Sequence, residues 1–286
     1  MRSVGTSWNR WILAGLILAT CAAVALVVEP RLHAAPARST TRGPALAGPT
    51  TGPTIGTAAT SPSAGNVVVG LGDSVMAGTA CGCDGPVAAY ARLMSKSLGR
   101  HITPVNMGVG GATTSSLQAQ LKQSSTRSAV ASASVVLVII GANDLLPQLA
   151  RYRSSECTYT CYQPAVVNMS GRLNDLLDQI ADLRDGRRGT VLVTDYWNVF
   201  PDGTSEREQH GAGEAAWGRQ VSRAANAEIC RVSRENGAVC VDTYAPFLAH
   251  GGDPDRYLAA DGDHPNAAGV DLIAAQLQKA TPKGAL

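Results

Sequence analysis

The sequence predicts an α/β fold: a five-stranded parallel sheet covered by helices on both faces, in three layers. Two patterns carry that expectation. Short, almost continuously apolar runs such as Val135 to Gly141 read as strands buried on both sides. Between them lie longer stretches whose apolar residues recur three or four positions apart. Val166, Met169, Leu173, Leu176, Leu177, Ile180 and Leu183 form one such stripe, which marks a helix facing a core. Alternation of the two kinds of segment is what βαβ units produce and a β-sandwich does not.

The first 65 residues stand outside this pattern. Arg2 and Arg10 precede the apolar run Trp11 to Val28, and the small-residue stretch His33 to Ala37 follows. That order of charge, apolar core and small residues is an export signal. The run of 18 residues is also at the lower edge of what spans a bilayer, so residues 1–37 are expected to be a signal peptide or a retained membrane anchor. Either way the folded part is expected to be extracytoplasmic, secreted or held at the membrane by this segment. Cys21 makes a poor lipidation site, because Thr20 precedes it and the apolar stretch continues beyond. Residues 38–65 are Pro, Gly, Thr, Ser and Ala with almost no large apolar side chain, too little to offset the entropy of ordering. They read as a disordered linker spanning about 30 Å. The folded domain is expected over 66–286.

Within it the strands fall at Val67 to Leu71, Ile102 to Asn106, Val135 to Gly141, Thr190 to Tyr196 and Ala238 to Asp242. Besides the stripe above, helices are expected near Val87 to Leu98, Ala215 to Arg234 and Val270 to Leu277. Leu145 to Pro164 and Asn198 to Gly213 carry no strong period and read as loops around a site.

Composition excludes several function classes. The chain is 45% hydrophobic and 16% charged, ordinary for a globular protein, so global disorder is excluded. A net charge of +2 without long basic runs gives no footprint for a polyanion, so no nucleic-acid partner is expected. Six cysteines remain after Cys21: Cys81, Cys83, Cys157, Cys161, Cys230 and Cys240. In an exported domain an even set reads as disulfides, and no histidine sits near them at zinc-finger spacing. Cys230 and Cys240 are placed to close a local bridge; the other four can pair within or between their two loops.

Chemistry gathers at the strand ends. The first strand runs into Gly70-Leu71-Gly72-Asp73-Ser74, which places a serine where open α/β sheets bind ligands. By itself this is ordinary turn composition. The second leads into Asn106-Met107-Gly108-Val109-Gly110-Gly111, which lacks the spacing of either common nucleotide-binding loop. The third leads into Gly141-Ala142-Asn143-Asp144, where an amide can donate or either polar residue can cap a helix. Asp261-Gly262-Asp263-His264 precedes the last helix and brings carboxylate and imidazole together. Four such loops at one sheet edge make coincidence the costlier explanation.

Together these blocks resemble the SGNH/GDSL hydrolase family, over Val67 to Leu277 and in family order. The resemblance implies a flavodoxin-like SGNH hydrolase fold and an esterase or lipase of carboxylic esters. It implies Ser74 as nucleophile, His264 as base and Asp261 as the carboxylate that orients the base. It further implies an oxyanion hole of the Ser74 amide, Gly111 and Asn143. Val75 stands where leucine gives the family its name, and Ala112 where aspartate is common. Gly108 and Gly110 are alternative donors to Gly111, and Asp263 competes with Asp261. Asp195 and Asp242, each ending a strand, read as turn caps, and His101, His210 and His250 as surface or structural.

No metal or organic cofactor is required for such chemistry. The expected partner is a small-molecule, lipid or glycan ester, with the membrane met only through an uncleaved N-terminal segment and the domain acting as a monomer. A carbohydrate O-acetylesterase is the alternative within the family. A non-catalytic envelope-binding domain is the alternative outside it, against which the intact set of Ser, Gly, Asn, Asp and His argues.

Overall fold

The computed structural model describes residues 66–157, 160–185, 190–249 and 251–286. The expected export segment and linker, with Cys21 and His33, and also His250, lie outside the described residues. The elements in order are β1 (Val67–Gly72), α1 (Ser74–Ala77), α2 (Gly85–Leu98), β2 (Thr103–Gly108), α3 (Thr114–Gln120), α4 (Ser124–Ser132), β3 (Val135–Ile139), α5 (Ala142–Arg153), α6 (Gln163–Leu183), β4 (Thr190–Thr194), α7 (Thr204–Glu235), β5 (Val239–Val241), α8 (Tyr244–Phe247), a 3-10 turn (Asp255–Tyr257) and α9 (Ala267–Ala280).

Among the described residues five strands form one sheet in the order β2-β1-β3-β4-β5, and every pairing is parallel. This is the flavodoxin-like order, which reverses direction between β1 and β3. Helices α2 and α9 pack against each other, and α3, α4 and α7 flank α6. Right-handed crossovers put these two groups on opposite faces of the sheet. All five residues of β3 are buried, as its uninterrupted apolar run required. Covering both faces removes from water most of the apolar surface that makes the fold stable.

All five strands lie where the sequence placed them, with ends differing by one or two residues. Asp195, expected within β4, still donates its N–H to Val241 O at 3.0 Å, but its carbonyl goes to the Thr243 hydroxyl, and beyond it side chains take over the pairing of Tyr196. Tyr196 exchanges backbone bonds with the Asn226 amide, receiving at 2.7 Å on its carbonyl and donating at 3.0 Å from its N–H. Asp195 accepts the N–H of Thr243 and Tyr244, and Asp242 that of Ala245, so both do cap turns. Buried Asp195 has its carboxyl pushed up to about 6, chiefly by desolvation.

Two expected loops are largely helical. Residues 142–153 form α5 despite Pro147, which cannot donate to the carbonyl four residues back. Only Leu145 and Leu149 of that helix are buried, so no stripe announced it. Residues 204–213 open α7, which bends at Gly211 where φ is 86°. Its first turn is fixed from a distance: both Asp255 carboxylate oxygens accept the Thr204 N–H, at 2.9 and 3.1 Å, and Arg207 reaches Asp202 and Asp253. Local periodicity carries none of that information. Helices α3 and α4 had too few apolar residues to be expected; the first starts at a reciprocal cap between Thr113 and Ser116.

The six cysteines pair locally, Cys81 with Cys83, Cys157 with Cys161 and Cys230 with Cys240. The last bridge ties the end of α7 to β5, and its Cα atoms are 5.0 Å apart. Replacing Cys230 and Cys240 together by alanine is expected to lower unfolding stability by about 2–3 kcal/mol, the loop entropy of a short closure. Denaturant unfolding measures this, and non-reducing peptide mapping checks the three pairings.

Candidate active site

The reversal of strand order between β1 and β3 opens a crevice at their carboxyl ends, where α/β sheets bind ligands. The turns leaving these two strands carry Ser74 and Asn143. At the first turn Gly72 adopts φ 148°, and a Cβ there would lie within bonding distance of the Ile139 carbonyl oxygen. Only glycine fits. Asp73 then donates its N–H to that same carbonyl at 3.0 Å, while its carboxylate accepts the Val75 N–H at 2.9 Å. Ser74 is thereby set at the start of α1, where a backbone N–H has no helical acceptor.

The Asp73 carboxylate is 1% exposed, and its other oxygen accepts the Tyr196 hydroxyl at 2.5 Å. Burial drives this carboxyl up to about 6, against the lowering effect of the Tyr196 and Val75 hydrogen bonds. An aspartate raised in this way favours the fold below its unfolded value near 3.8 and loses that contribution as pH rises through about 6.

At the end of β2, Gly108 donates its N–H to Asn106 Oδ1 at 2.9 Å, and a Cβ on it would collide with the backbone of α1. Gly108 is a packing residue with its donor already engaged. Val109, Gly110, Gly111 and Ala112 form a turn closed by Ala112 N–H to Val109 O at 3.0 Å, with Gly111 at φ 74°. Among the described residues neither Gly110 nor Gly111 spends its N–H on a protein acceptor. The Ala112 carbonyl accepts from Asn143 Nδ2 at 2.9 Å, which fixes the amide and, among the described residues, leaves its second proton without an acceptor.

Asn143 and Asp144 sit in the first turn of α5, and the helix cap is Gly141. Neither is the cap that the sequence allowed. Asp144 instead receives the Thr114 N–H and hydroxyl, at 2.9 and 2.7 Å, and so docks α3 onto α5.

His264 lies on a loop pinned at several points. Ala259 N–H bonds the His264 carbonyl at 2.8 Å, Leu258 bridges Pro265, and Asn266 caps α9 through the Gly269 N–H. Asp202 donates its backbone N–H to Gly262 O at 2.9 Å, and its buried carboxylate is held by Arg207 and Arg219. Asp261 Oδ1 accepts the N–H of both Asp263 and His264 at 3.0 Å, which leaves Oδ2 to meet His264 Nδ1 at 2.8 Å. Asp263 Oδ2 is 3.9 Å from the same nitrogen, so Asp261 is the partner. Desolvation works to raise the Asp261 carboxyl, but these three bonds outweigh it and hold it below the usual range.

Ser74, Asn143 and His264 line one cavity with Asp73, Tyr196, Trp197, Asn198, Val199, Leu146 and Asp263. Ser74 and the His264 ring share it without a direct hydrogen bond, a contact that in such sites closes when substrate binds. A larger cavity of about 520 Å³ between α4 and the end of α6 holds no histidine to activate a nucleophile.

The sequence profile of the GDSL-like Lipase/Acylhydrolase family matches residues 71–272. The chain belongs to this family. It is accordingly a carboxylic ester hydrolase. No curated protein matches the sequence. Among solved structures, the lipase Lip_vut3 from a goat rumen metagenome is 20% identical, with 77% of this chain and 99% of that one covered and a TM-score of 0.63. Phospholipase A1 from Streptomyces albidoflavus NA297 is 21% identical, covering 76% and 100%, with a TM-score of 0.56. The acetylxylan esterase Axe2 from Geobacillus stearothermophilus is 19% identical, covering 76% and 94%, with a TM-score of 0.54. At these identities the likeness is one of fold.

Within this GDSL-family fold, the sequence brought Ser74, Asn143, Asp261 and His264 to notice but not Tyr196. A tyrosine after an apolar strand is unremarkable in one dimension; only strand order places it beside Asp73. The Gly72 turn yields a direct check. Gly72→Ala is expected to cost about 3 kcal/mol or more, through strain and the clash with Ile139, and to abolish ester hydrolysis at any temperature where the fold is lost. Thermal unfolding read beside activity measures both.

Proposed function

We propose that this protein is an exported serine hydrolase that cleaves acyl esters through Ser74, His264 and Asp261. His264 Nε2 removes the Ser74 proton as Oγ attacks the acyl carbonyl carbon. Asp261, bonded to Nδ1, holds the ring in the required tautomer and stabilises the imidazolium. The former carbonyl oxygen takes up the negative charge and meets the N–H groups of Ser74 and Gly111 and the free proton of Asn143 Nδ2. His264 then returns the proton to the departing alcohol oxygen, leaving an acyl-Ser74 ester. Water attacks that ester with His264 again taking a proton, and Ser74 is restored as the carboxylic acid leaves.

The observation that carries this reading is the 2.8 Å contact of His264 Nδ1 with Asp261, on a ring that shares its cavity with Ser74 and Asn143. Export rests on the sequence of residues 1–37, and residues 38–65 would serve as the tether to the hydrolase domain of 66–286. Hydrolysis of 4-nitrophenyl acetate tests the roles. Ser74→Ala and His264→Ala are expected to lose activity almost completely, and Asp261→Asn about 10⁴-fold in turnover. Asp263→Asn should lose far less. Wild-type activity in Ser74→Ala would sink the assignment.

A second reading, O-acetyl ester cleavage on carbohydrate, draws support from the size of the cavity. The cavity beside Ser74 is small, about 20 Å³, and Leu146, Trp197 and Val199 line it, which suits a short acyl group. Its walls are braced: Trp197 stacks on Phe247 with ring centroids 4.4 Å apart, and the Val199 N–H is held by Ser222. Forcing extra methylenes into packed surroundings costs about 1–3 kcal/mol. Acetate esters are therefore expected to exceed octanoate esters by about tenfold or more in kcat/KM, with acetate released from acetylated glycans. A preference for octanoate would refute the short-acyl reading and leave the triad standing.

A further inference from the structure

We propose that Tyr196 is a positioning residue for ester hydrolysis, its one buried hydroxyl setting the turn that carries Ser74 against the turn that carries Asn143. The proposal rests on the roles given above to these two residues and adds a third element, the end of β4, to the machinery.

The hydroxyl oxygen of Tyr196 has partners on both sides. It donates its proton to Asp73 Oδ2 at 2.5 Å, and on its other side it faces the backbone N–H of Ala142, which favours the ionised phenol. The second Asp73 oxygen accepts the Val75 N–H at 2.9 Å. A chain of bonds therefore runs from the phenol through the carboxylate to Val75 N–H, and the Ala142 N–H faces the phenol at its other end. Asn143 directly follows one end of this chain, and Ser74 lies between its two anchors at the other. The nucleophile and the side-chain donor for the oxyanion are each one residue from it.

Tyr196 is itself held on several sides. It is 1% exposed, and the Asn226 amide grips both its backbone N–H and its carbonyl from α7. A hydroxyl held in this way transmits position, because moving it would break its bond to Asp73 and shift it against Ala142. The distance between a serine oxygen and an oxyanion donor must be right to within a fraction of an ångström. Misplacements of about 1 Å cost on the order of 100-fold in rate. The ionised phenol is strongly disfavoured by burial and by the Asp73 charge, so Tyr196 stays a donor throughout the working pH range.

Tyr196→Phe keeps the ring and removes only the hydroxyl. With 4-nitrophenyl acetate, kcat is expected to fall about 10- to 100-fold while KM stays within about twofold, because binding surface is unchanged and geometry is not. A pH profile supplies a second readout. The groups facing the Asp73 carboxylate are the Tyr196 hydroxyl, the Val75 N–H and, at longer range, Asp263 and His264. Removing the hydroxyl takes away a bond that favours the ionised form, so the acidic limb of kcat/KM should move to higher pH. Asp73→Asn breaks the same chain at its next link, so Tyr196→Phe/Asp73→Asn should lose little more than the worse single variant.

Activity within twofold of wild type in Tyr196→Phe, with the acidic limb unmoved, overturns the proposal. Losses that multiply in the double variant also overturn it, as does activity that falls only in proportion to the folded fraction by circular dichroism. Ser74→Ala, assayed alongside, separates the outcomes: its full activity would remove the nucleophile assignment, whereas the Tyr196 result speaks only to positioning in protein with Ser74 intact.

Discussion

The carbonyl of Ile139, at the end of the central strand β3, takes the N–H of Asp73 and leaves no room for a side chain on Gly72. Everything in the site is arranged around this contact between two parallel strands. It fixes where β1 stops and turns Ser74 out over the crevice left by the reversal of strand order. Because β3 is buried along its whole length, the acceptor cannot move without disturbing the core. The immediately following residues, Ile140 to Asn143, then deliver the amide donor to the other side of the same crevice.

The imidazole arrives by a different route. Its loop contributes no strand and gains rigidity from polar contacts: two backbone N–H groups on Asp261, the Leu258–Pro265 bridge and the Asp202 link to Gly262. The cavity is therefore shared between a side set by sheet geometry and a side set by hydrogen bonds. Hydrogen bonds of this kind each contribute about 1 kcal/mol net, so the loop is held by their number rather than by any one of them.

What the sequence made legible follows the same division. Strands with continuous apolar runs and helices with clear stripes could be read because burial writes itself locally into residue order. So could Gly72, Asn143 and the Asp261–His264 pair, since each belongs to a compact block. The helical start of α7 could not, because Thr204 and Arg207 are fixed by Asp253 and Asp255 some fifty residues away. Tyr196 was invisible for the same reason: its partner Asp73 is 123 residues distant and is brought near only by strand order. Asp261 and Asp263 were not separable in the sequence; in the structure Asp261 lies nearer His264 Nδ1, at 2.8 against 3.9 Å.

Asp73 and Asp261 are treated oppositely by their surroundings, and the contrast bears on the proposed pairing of Asp261 with the imidazole. Asp261 is partly exposed and accepts three N–H groups, so it stays ionised well into the acid range. An ionised partner is what a ring gaining positive charge requires. Asp73 is sealed from water with fewer donors, and its carboxyl rises to about 6. A group in that state would be an unreliable counter-ion under mildly acidic conditions, but it makes a strong acceptor once charged. Placed beneath Ser74 with a phenol donating to it, it serves geometry, whereas in the proposed mechanism Asp261 on the exposed loop keeps its charge and stabilises the imidazolium.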